Sequence, residues 1–266
     1  MKKYNRGNSL YYLFVIFFVI YILFILTPIV RTITFQSFSY IVEDTKSGIW
    51  QSISYTYLLA LFVGLLAIGF SVPYVYFISR NSNSGIKALD ALVELPIMIP
   101  HTVVGLMMLI TFSPTMPLGR FILSIYPDYQ FLDTFLAVIV TLFFLSSAYS
   151  IRTVQISYSR DVMKYENIGR TLGLSPFKSY FIIAIPMMKR ALLRGLILSW
   201  ARSISEVGSL LIVAYYILPS FVHLAGVFIY SQFLGGQLPL AVASSSILIF
   251  TGLLALLGVK LLERER

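Results

Sequence analysis

The chain has 266 residues, of which 58% are hydrophobic and only 12% are charged, and its mean hydropathy is +0.85. Soluble globular chains carry about 25% charged residues, so this composition excludes a water-soluble enzyme and predicts a polytopic membrane protein. The net charge of +9 is explained by basic cytoplasmic loops better than by nucleic-acid binding, and the absence of cysteine excludes disulfides and thiolate chemistry.

Six long apolar stretches are expected to cross the bilayer, because about 20 apolar residues in a helix span its hydrocarbon core. Helix is required in lipid, since free backbone amide and carbonyl groups find no partner there. The predicted spans cover residues 10–30, 53–79, 89–112, 132–151, 191–216 and 238–262. The sequence therefore predicts an all-α fold with six transmembrane helices.

The first stretch follows Lys2, Lys3 and Arg6, a charge pattern that signal peptides share. Its length and the lack of a small-residue cleavage site favour an uncleaved helix at 10–30, peripheral to core helices at about 53–262. Most of the 20 lysines and arginines fall in segments on the same side as the N-terminus, which predicts cytoplasmic termini. We expect one transmembrane domain, residues 1 to 266, in the cell membrane.

Two prolines interrupt the third predicted span. Pro96 and Pro100 each remove a helical hydrogen bond, so we expect a kink or an unwound turn there. The freed backbone groups could face a translocation pathway, or the kink could serve packing alone. The neighbouring His101 is expected at a helix interface rather than as a ligand.

The longest polar segment, about residues 152–190, joins the fourth and fifth spans. Gly173 supplies a stop for a first short helix. The pair Ser175-Pro176 predicts the start of a second one, which Pro186 ends or kinks. This loop could be a solvated connection on the basic side of the membrane, or a helix presented to a cytoplasmic partner.

The spacing within this loop resembles the coupling-loop motif of ABC importer permeases, which reads Glu-Ala-Ala, three residues, Gly, nine residues and Ile-x-Leu-Pro. Gly173, Ile183 and Pro186 match that spacing. The residues before the glycine are Glu166, Asn167, Ile168, Gly169 and Arg170. Here the glutamate stands one position early, and an Ile-Gly pair replaces the two alanines. The resemblance implies that these eight residues couple the chain to an ATPase.

Two further segments resemble the molybdate, tungstate and sulfate importer permeases. The run WARSISEVGS at 200–209 is similar to that subfamily's Arg-x-x-x-Glu-Phe-Gly stretch, with Val207 in place of phenylalanine. The run LPIMIP at 95–100 is similar to its third span. The resemblance implies the type I importer permease fold and a pathway for tungstate or molybdate.

The same resemblance implies partners. A second permease copy, as a homodimer, would complete the pathway, two cytoplasmic ATPase subunits would drive it, and an extracytoplasmic binding protein would deliver the ligand. The chain has no Gly-x4-Gly-Lys-Ser/Thr phosphate loop. We therefore expect a transport subunit that is not an enzyme and binds no cofactor, with ATP and magnesium held by the ATPase subunits.

Arg202 and Glu206, four residues apart in the fifth predicted span, are the charged candidates for a gate or pathway. A lone charge at mid-helix costs about 2.5–3.5 kcal/mol on insertion scales, and a helical partner of opposite charge reduces that cost. The same spacing suits a purely structural ion pair. Gly208 is expected to allow close helix approach. With Pro96 and Pro100, these residues make up the predicted pathway set.

Rival functions stay open at this point. A permease for sulfate or for polyamines would carry the same coupling motif, but a cation pathway needs acidic residues in the spans, where Arg202 already counters Glu206. An ion-coupled secondary transporter would need unpaired membrane carboxylates and inverted repeats, and we identify neither in the sequence.

Overall fold

The computed structural model describes residues 9–35, 38–81 and 83–264. Its helices are α1 (Ser9–Phe35), α2 (Phe38–Asp44), α3 (Ile49–Ile78), α4 (Ser84–Leu92), α5 (Leu95–Met98), α6 (His101–Phe112), α7 (Pro117–Ile125), α8 (Phe135–Ser157), α9 (Arg160–Thr171), α10 (Pro176–Ser179), α11 (Ile185–Met187), α12 (Lys189–Ile204), α13 (Leu210–Val213), α14 (Ala225–Leu234) and α15 (Leu238–Arg264). One π-helical turn, Tyr180–Ala184, joins α10 to α11. The described residues contain no β-strand beyond an isolated bridge, so the all-α prediction is confirmed.

Among the residues that the structure describes, four helices are long and apolar enough to cross a membrane: α1, α3, α8 and α15. A fifth candidate is the pair Ser84–Met98 and His101–Phe112, whose two arms bend by 115°. These elements correspond to the first, second, fourth, sixth and third predicted spans. The basic residues Lys2, Lys3 and Arg6 lie outside the described residues. The chain is thus a multi-pass membrane protein.

The fifth predicted span, 191–216, differs from the expectation because it is not one continuous helix. α12 ends at Ile204 and α13 begins at Leu210. Between them, the Glu206 carboxylate accepts hydrogen bonds from the backbone N–H of Ser209 (2.9 Å) and from its hydroxyl (2.8 Å). A side chain thus takes the place of a helical carbonyl acceptor, which is how short polar motifs compete with helix.

The described residues group into two compact units, one containing residues up to 49 and from 229 onwards, the other Trp50–Phe228. In the larger unit α8 packs along α12, where the Ser199 hydroxyl donates to the Ser146 carbonyl at 2.9 Å. Small residues of this kind let membrane helices approach closely. The buried apolar core of this unit joins α6, α8 and α13 through Val104, Leu142, Leu145, Leu210 and Val213.

The other unit is organised around a buried carboxylate. α2 and α1 both contact α15 there. Asp44, the last residue of α2, is fully buried and accepts hydrogen bonds from Gln232 Nε2 (2.8 Å), Ser244 Oγ (2.6 Å) and Ser47 Oγ (2.8 Å). Three donors satisfy the desolvated carboxylate, which fixes the end of α2 against α14 and α15.

Candidate functional site

The loop after α8 folds into short helices for local reasons. α9 follows Ser159, whose hydroxyl oxygen caps its first turn, and it ends where Gly173 takes a φ of +96°. The N–H of Gly173 donates to the Arg170 carbonyl and that of Leu174 to the Gly169 carbonyl, both at 3.1 Å. This pair of bonds is a Schellman motif, whose left-handed residue favours glycine. The helix stop predicted at Gly173 is therefore present.

The second short helix also begins at its predicted signal. Ser175 Oγ accepts the Lys178 N–H at 3.3 Å, and Pro176 occupies the first helical position. Pro186 interrupts the α-helical pattern without ending the helical path. The π-helical turn Tyr180–Ala184 precedes it, and the Ile185 N–H donates to the Tyr180 carbonyl across this wider turn.

The residues of the predicted coupling segment divide between two faces of α9. Asn167, Ile168 and Arg170 are exposed, whereas Glu166 and Gly169 are buried. The exposed face borders a shallow pocket, and we call its lining the docking face: Arg160, Met163, Lys164, Asn167, Ile168 and Thr171. This face combines two basic, two apolar and two uncharged polar side chains, and its exposed apolar residues Met163 and Ile168 are of the kind that enter a partner's groove.

The buried face of α9 explains the glycine within the segment. A Cβ atom at Gly169 would collide with Ile183 Cδ1 and lie 2.8 Å from Ser179 Oγ. The absence of a side chain at position 169 thus lets the Ile183 and Ser179 side chains pack directly against α9. Gly169 and Ile183 are thus brought together, while Pro186 lies exposed beyond the π-helical turn.

The third predicted span has the interruption that its prolines predict. Pro96 lies in the first turn of α5, and Pro100 precedes α6. Ile99 between them is extended, with φ −76° and ψ 131°, which ends α5 before the 115° bend. The break places His101 at the start of α6, where it meets the interrupted fifth span.

Arg202, Glu206 and His101 form one polar cluster, which we call the gate cluster. Arg202 Nη2 lies 3.0 Å from Glu206 Oε2 and 2.7 Å from His101 Nε2. His101 Nδ1 lies 3.4 Å from the same carboxylate oxygen. The Glu206 side chain is fully buried and that of Arg202 is 14% exposed, whereas the His101 side chain is 49% exposed. The cluster joins two interrupted helices through a guanidinium, a carboxylate and an imidazole, and the imidazole is accessible.

Close backbone contact holds the two interruptions together. A Cβ atom at Gly105 would lie 2.8 Å from the Ser209 carbonyl oxygen, and one at Gly208 would lie 3.0 Å from His101 Cβ. Both glycines therefore permit the approach of α6 to the segment between α12 and α13. This is the packing role that the sequence predicts for Gly208.

Sequence reasoning missed a second ionic cluster. Arg152 of α8 bridges the first arm of the bent pair, with Nη1 2.8 Å from Asp90 Oδ1 and Nε 2.9 Å from Glu94 Oε1. The Tyr74 hydroxyl of α3 donates to Asp90 at 2.6 Å. The available signal was a pair of opposite charges, Asp90 and Arg152, each near the end of an apolar run. This signal does not show that the two residues pair, because 62 positions separate them. His101 lies at a helix interface, as the sequence predicts, but its contacts with Arg202 and Glu206 were not predicted, because these partners lie about a hundred positions away.

Similarity to known proteins identifies the family of the chain. No protein-family model matches the chain. The molybdate/tungstate transport system permease protein WtpB of Pyrococcus abyssi is 32% identical over 77% of this chain and 78% of its own length. That of Thermococcus kodakarensis is 34% identical over 66% of this chain, and the alignment covers 62% of the Thermococcus protein, less than two thirds of it.

A solved structure with a similar fold is a bacterial alginate ABC transporter in complex with an alginate pentasaccharide-bound periplasmic protein. A chain of that structure superposes with a TM-score of 0.72, covering 95% of this chain and 91% of the other, at 17% identity. At this identity the likeness shows the fold alone, and it confirms the predicted importer permease fold. The chain belongs to the family of ABC importer permeases that includes WtpB.

Proposed function

We propose that this chain is the permease subunit through which tungstate or molybdate enters the cell in an ATP-driven importer. One observation carries the proposal: the Arg202 guanidinium lies where two interrupted helices meet, next to the accessible His101. Oxyanions require hydrogen-bond donors, and a guanidinium presents several in a planar array. The names of the WtpB relatives support the same class of ligand.

The proposal includes the rest of the importer. Two cytoplasmic ATPase subunits would bind ATP and magnesium and act on the docking face, and a second copy of this chain would complete the pathway. A binding protein would deliver the anion from outside, as the periplasmic protein in the alginate transporter structure suggests. Both termini would face the cytoplasm, in keeping with the distribution of basic residues.

A polyamine pathway fits the gate cluster less well. Glu206 is the acidic side chain of that cluster, and its Oε2 atom lies 3.0 Å from Arg202 Nη2 and 3.4 Å from His101 Nδ1. Its carboxylate is also occupied by the two hydrogen bonds from Ser209. A cation would have to displace these partners from Glu206, whereas an anion could contact the Arg202 guanidinium.

Proteoliposomes that contain the permease, its ATPase and its binding protein should accumulate labelled tungstate only when ATP is present on the ATPase side. We expect excess molybdate to compete fully, because it matches tungstate in charge, tetrahedral shape and size. Sulfate has the same charge and shape but is smaller, so it should compete less strongly, and spermidine should have no effect. Uptake of labelled spermidine, sulfate competing as strongly as molybdate, or tungstate uptake without ATP would contradict the proposal. Vesicles without the binding protein serve as the control.

The orientation and the docking face can be tested together, since the chain contains no cysteine. A single thiol introduced by Thr171→Cys, on the exposed face of α9, should react with an impermeant maleimide only from the cytoplasmic side. Bound ATPase should protect it, because Thr171 lines the docking face. Asp128→Cys, in the exposed segment after α7, should react only from outside and without protection. Labelling of Thr171→Cys from outside, or no protection by ATPase, would refute this assignment.

A further inference from the structure

Glu166 lies in the longest polar segment of the chain, yet it is fully buried. Its Oε1 atom forms an ion pair with the Arg80 guanidinium. Its Oε2 atom accepts a hydrogen bond from the Tyr158 hydroxyl at 2.5 Å, and its backbone carbonyl accepts one from Ser179 Oγ at 2.6 Å. A buried carboxylate is tolerated only when such partners compensate its desolvation. This side chain is therefore committed to its own chain and does not belong to the docking face.

The partners of Glu166 come from the ends of different helices. Arg80 follows α3 by two residues, and Tyr158 caps the end of α8. Burial and the neighbouring Glu166 carboxylate raise the pKa of Tyr158 to about 12, so the phenol keeps its proton and donates throughout the neutral range. We call Arg80, Tyr158 and Glu166 the clasp.

Aromatic rings hold the arginine of the clasp in place. The guanidinium carbon of Arg80 lies 3.7 Å from the centre of the Tyr76 ring and 5.3 Å from that of Tyr180. Tyr180 is fully buried, and its hydroxyl donates to the Val72 carbonyl of α3 at 2.9 Å. Cation–π contacts of this kind attract the guanidinium to the faces of the two rings. The clasp is thus a packed, directional junction between α9 and the end of α3.

The connectivity of the chain gives the clasp its significance. α9 follows α8 almost directly, so a movement of α9 reaches α8 through the backbone. α3 is different, because no short stretch of backbone connects it to α9. Arg80 and Glu166 are 86 positions apart in the chain. A push on the docking face therefore reaches α3 through side chains, of which the clasp provides the charged pair.

We propose that Arg80, Glu166 and Tyr158 are positioning residues that transmit movement of α9 to the ends of α3 and α8, and so couple ATP hydrolysis to opening of the pathway. The inference rests on the proposed function, since it assumes an ATPase that acts on the docking face. It assigns Glu166 an internal role, although the sequence motif places this residue in the segment that meets the partner. The contacts with the ATPase would instead come from its exposed neighbours.

The test measures the number of tungstate ions imported per ATP hydrolysed by the reconstituted complex. Glu166→Gln keeps the shape of the side chain and removes its charge, and Tyr158→Phe removes one hydroxyl. We expect both variants to assemble with the ATPase and to hydrolyse ATP, but to import at least about fivefold less tungstate per ATP, the smaller end of typical coupling effects. Tyr165→Phe, an exposed tyrosine of α9 outside the docking face, should keep the wild-type ratio.

The outcomes separate this inference from the proposed function. If the wild-type complex imports no tungstate, the proposed function fails. If the wild-type complex imports tungstate and both clasp variants keep its ratio of transport to hydrolysis, the clasp does not transmit movement. If the variants lose assembly with the ATPase in parallel with transport, the clasp only shapes the docking face, and the inference is equally overturned.

Discussion

Arg202→Gln should lower ATP-dependent tungstate uptake by about tenfold or more, because a hydrogen bond from a charged donor contributes about 1.5–3 kcal/mol and 1.4 kcal/mol corresponds to a factor of ten. Glutamine retains part of the side-chain volume and one amide donor but removes the positive charge. Uptake by the reconstituted importer is the measurement. Arg194→Gln, an exposed arginine two turns earlier in α12, is the matched control and should retain most of the uptake.

A structural effect of Arg202→Gln has to be separated from a transport effect. The variant leaves the buried Glu206 without its cation, and breaking a buried ion pair costs about 3–5 kcal/mol. The double variant Arg202→Gln/Glu206→Gln removes both charges and should recover assembly and thermal stability, while uptake stays low. Wild-type uptake by the double variant would show that the pair serves packing only.

Gly105→Ala should destabilise the assembled importer and abolish most of its uptake. The added methyl group would lie 2.8 Å from the Ser209 carbonyl oxygen and 3.0 Å from Ile212 Cβ, so α6 and the interrupted fifth span would have to move apart. Overpacking of this kind costs about 1–3 kcal/mol. The melting temperature of the purified complex and its tungstate uptake are the two measurements.

Gly69→Ala is the matched control for this prediction. Nothing lies within 4 Å of a Cβ atom at position 69, which is on α3. Alanine also favours helix over glycine by about 0.5–1 kcal/mol, so this variant should be as stable as the wild type or slightly more so. Equal melting temperatures for Gly105→Ala and the wild type would show that the two interruptions are not in tight contact.

The helical architecture could be predicted from the sequence because the length of an apolar run and the position of a proline affect the helix in which they occur. The break at Pro100 was expected, since proline removes a backbone donor. The break after Ile204 was not, since it depends on a glutamate that bonds forward to Ser209 inside a run whose hydropathy looks continuous. A hydropathy pattern shows how apolar a segment is, but it does not show whether a backbone N–H donates to a helical carbonyl or to a side chain.

The candidate site also combines features that the local sequence determines with features that depend on tertiary contacts. The capping signals around Gly173 and Ser175 are local, and the structure has them. Glu166 points inward because it pairs with Arg80, and Arg152 of α8 pairs with Asp90 on the first arm of the bent pair. Both contacts join residues far apart in the chain, so sequence spacing could not predict them. His101 belongs to the same class, because its partners lie about a hundred positions further along the chain.

If the pathway of the proposed importer passes the bend at Pro100, the bend would limit the thickness of the apolar barrier that a dehydrated ion crosses. α6 has 12 residues, so its axis is about 18 Å long, whereas the hydrocarbon layer is about 30 Å thick. Irregular backbone at membrane depth persists where water or protein reaches it. In the proposed importer an aqueous vestibule would extend inward to this bend, and the anion would leave bulk solvent for only a fraction of the width of the bilayer.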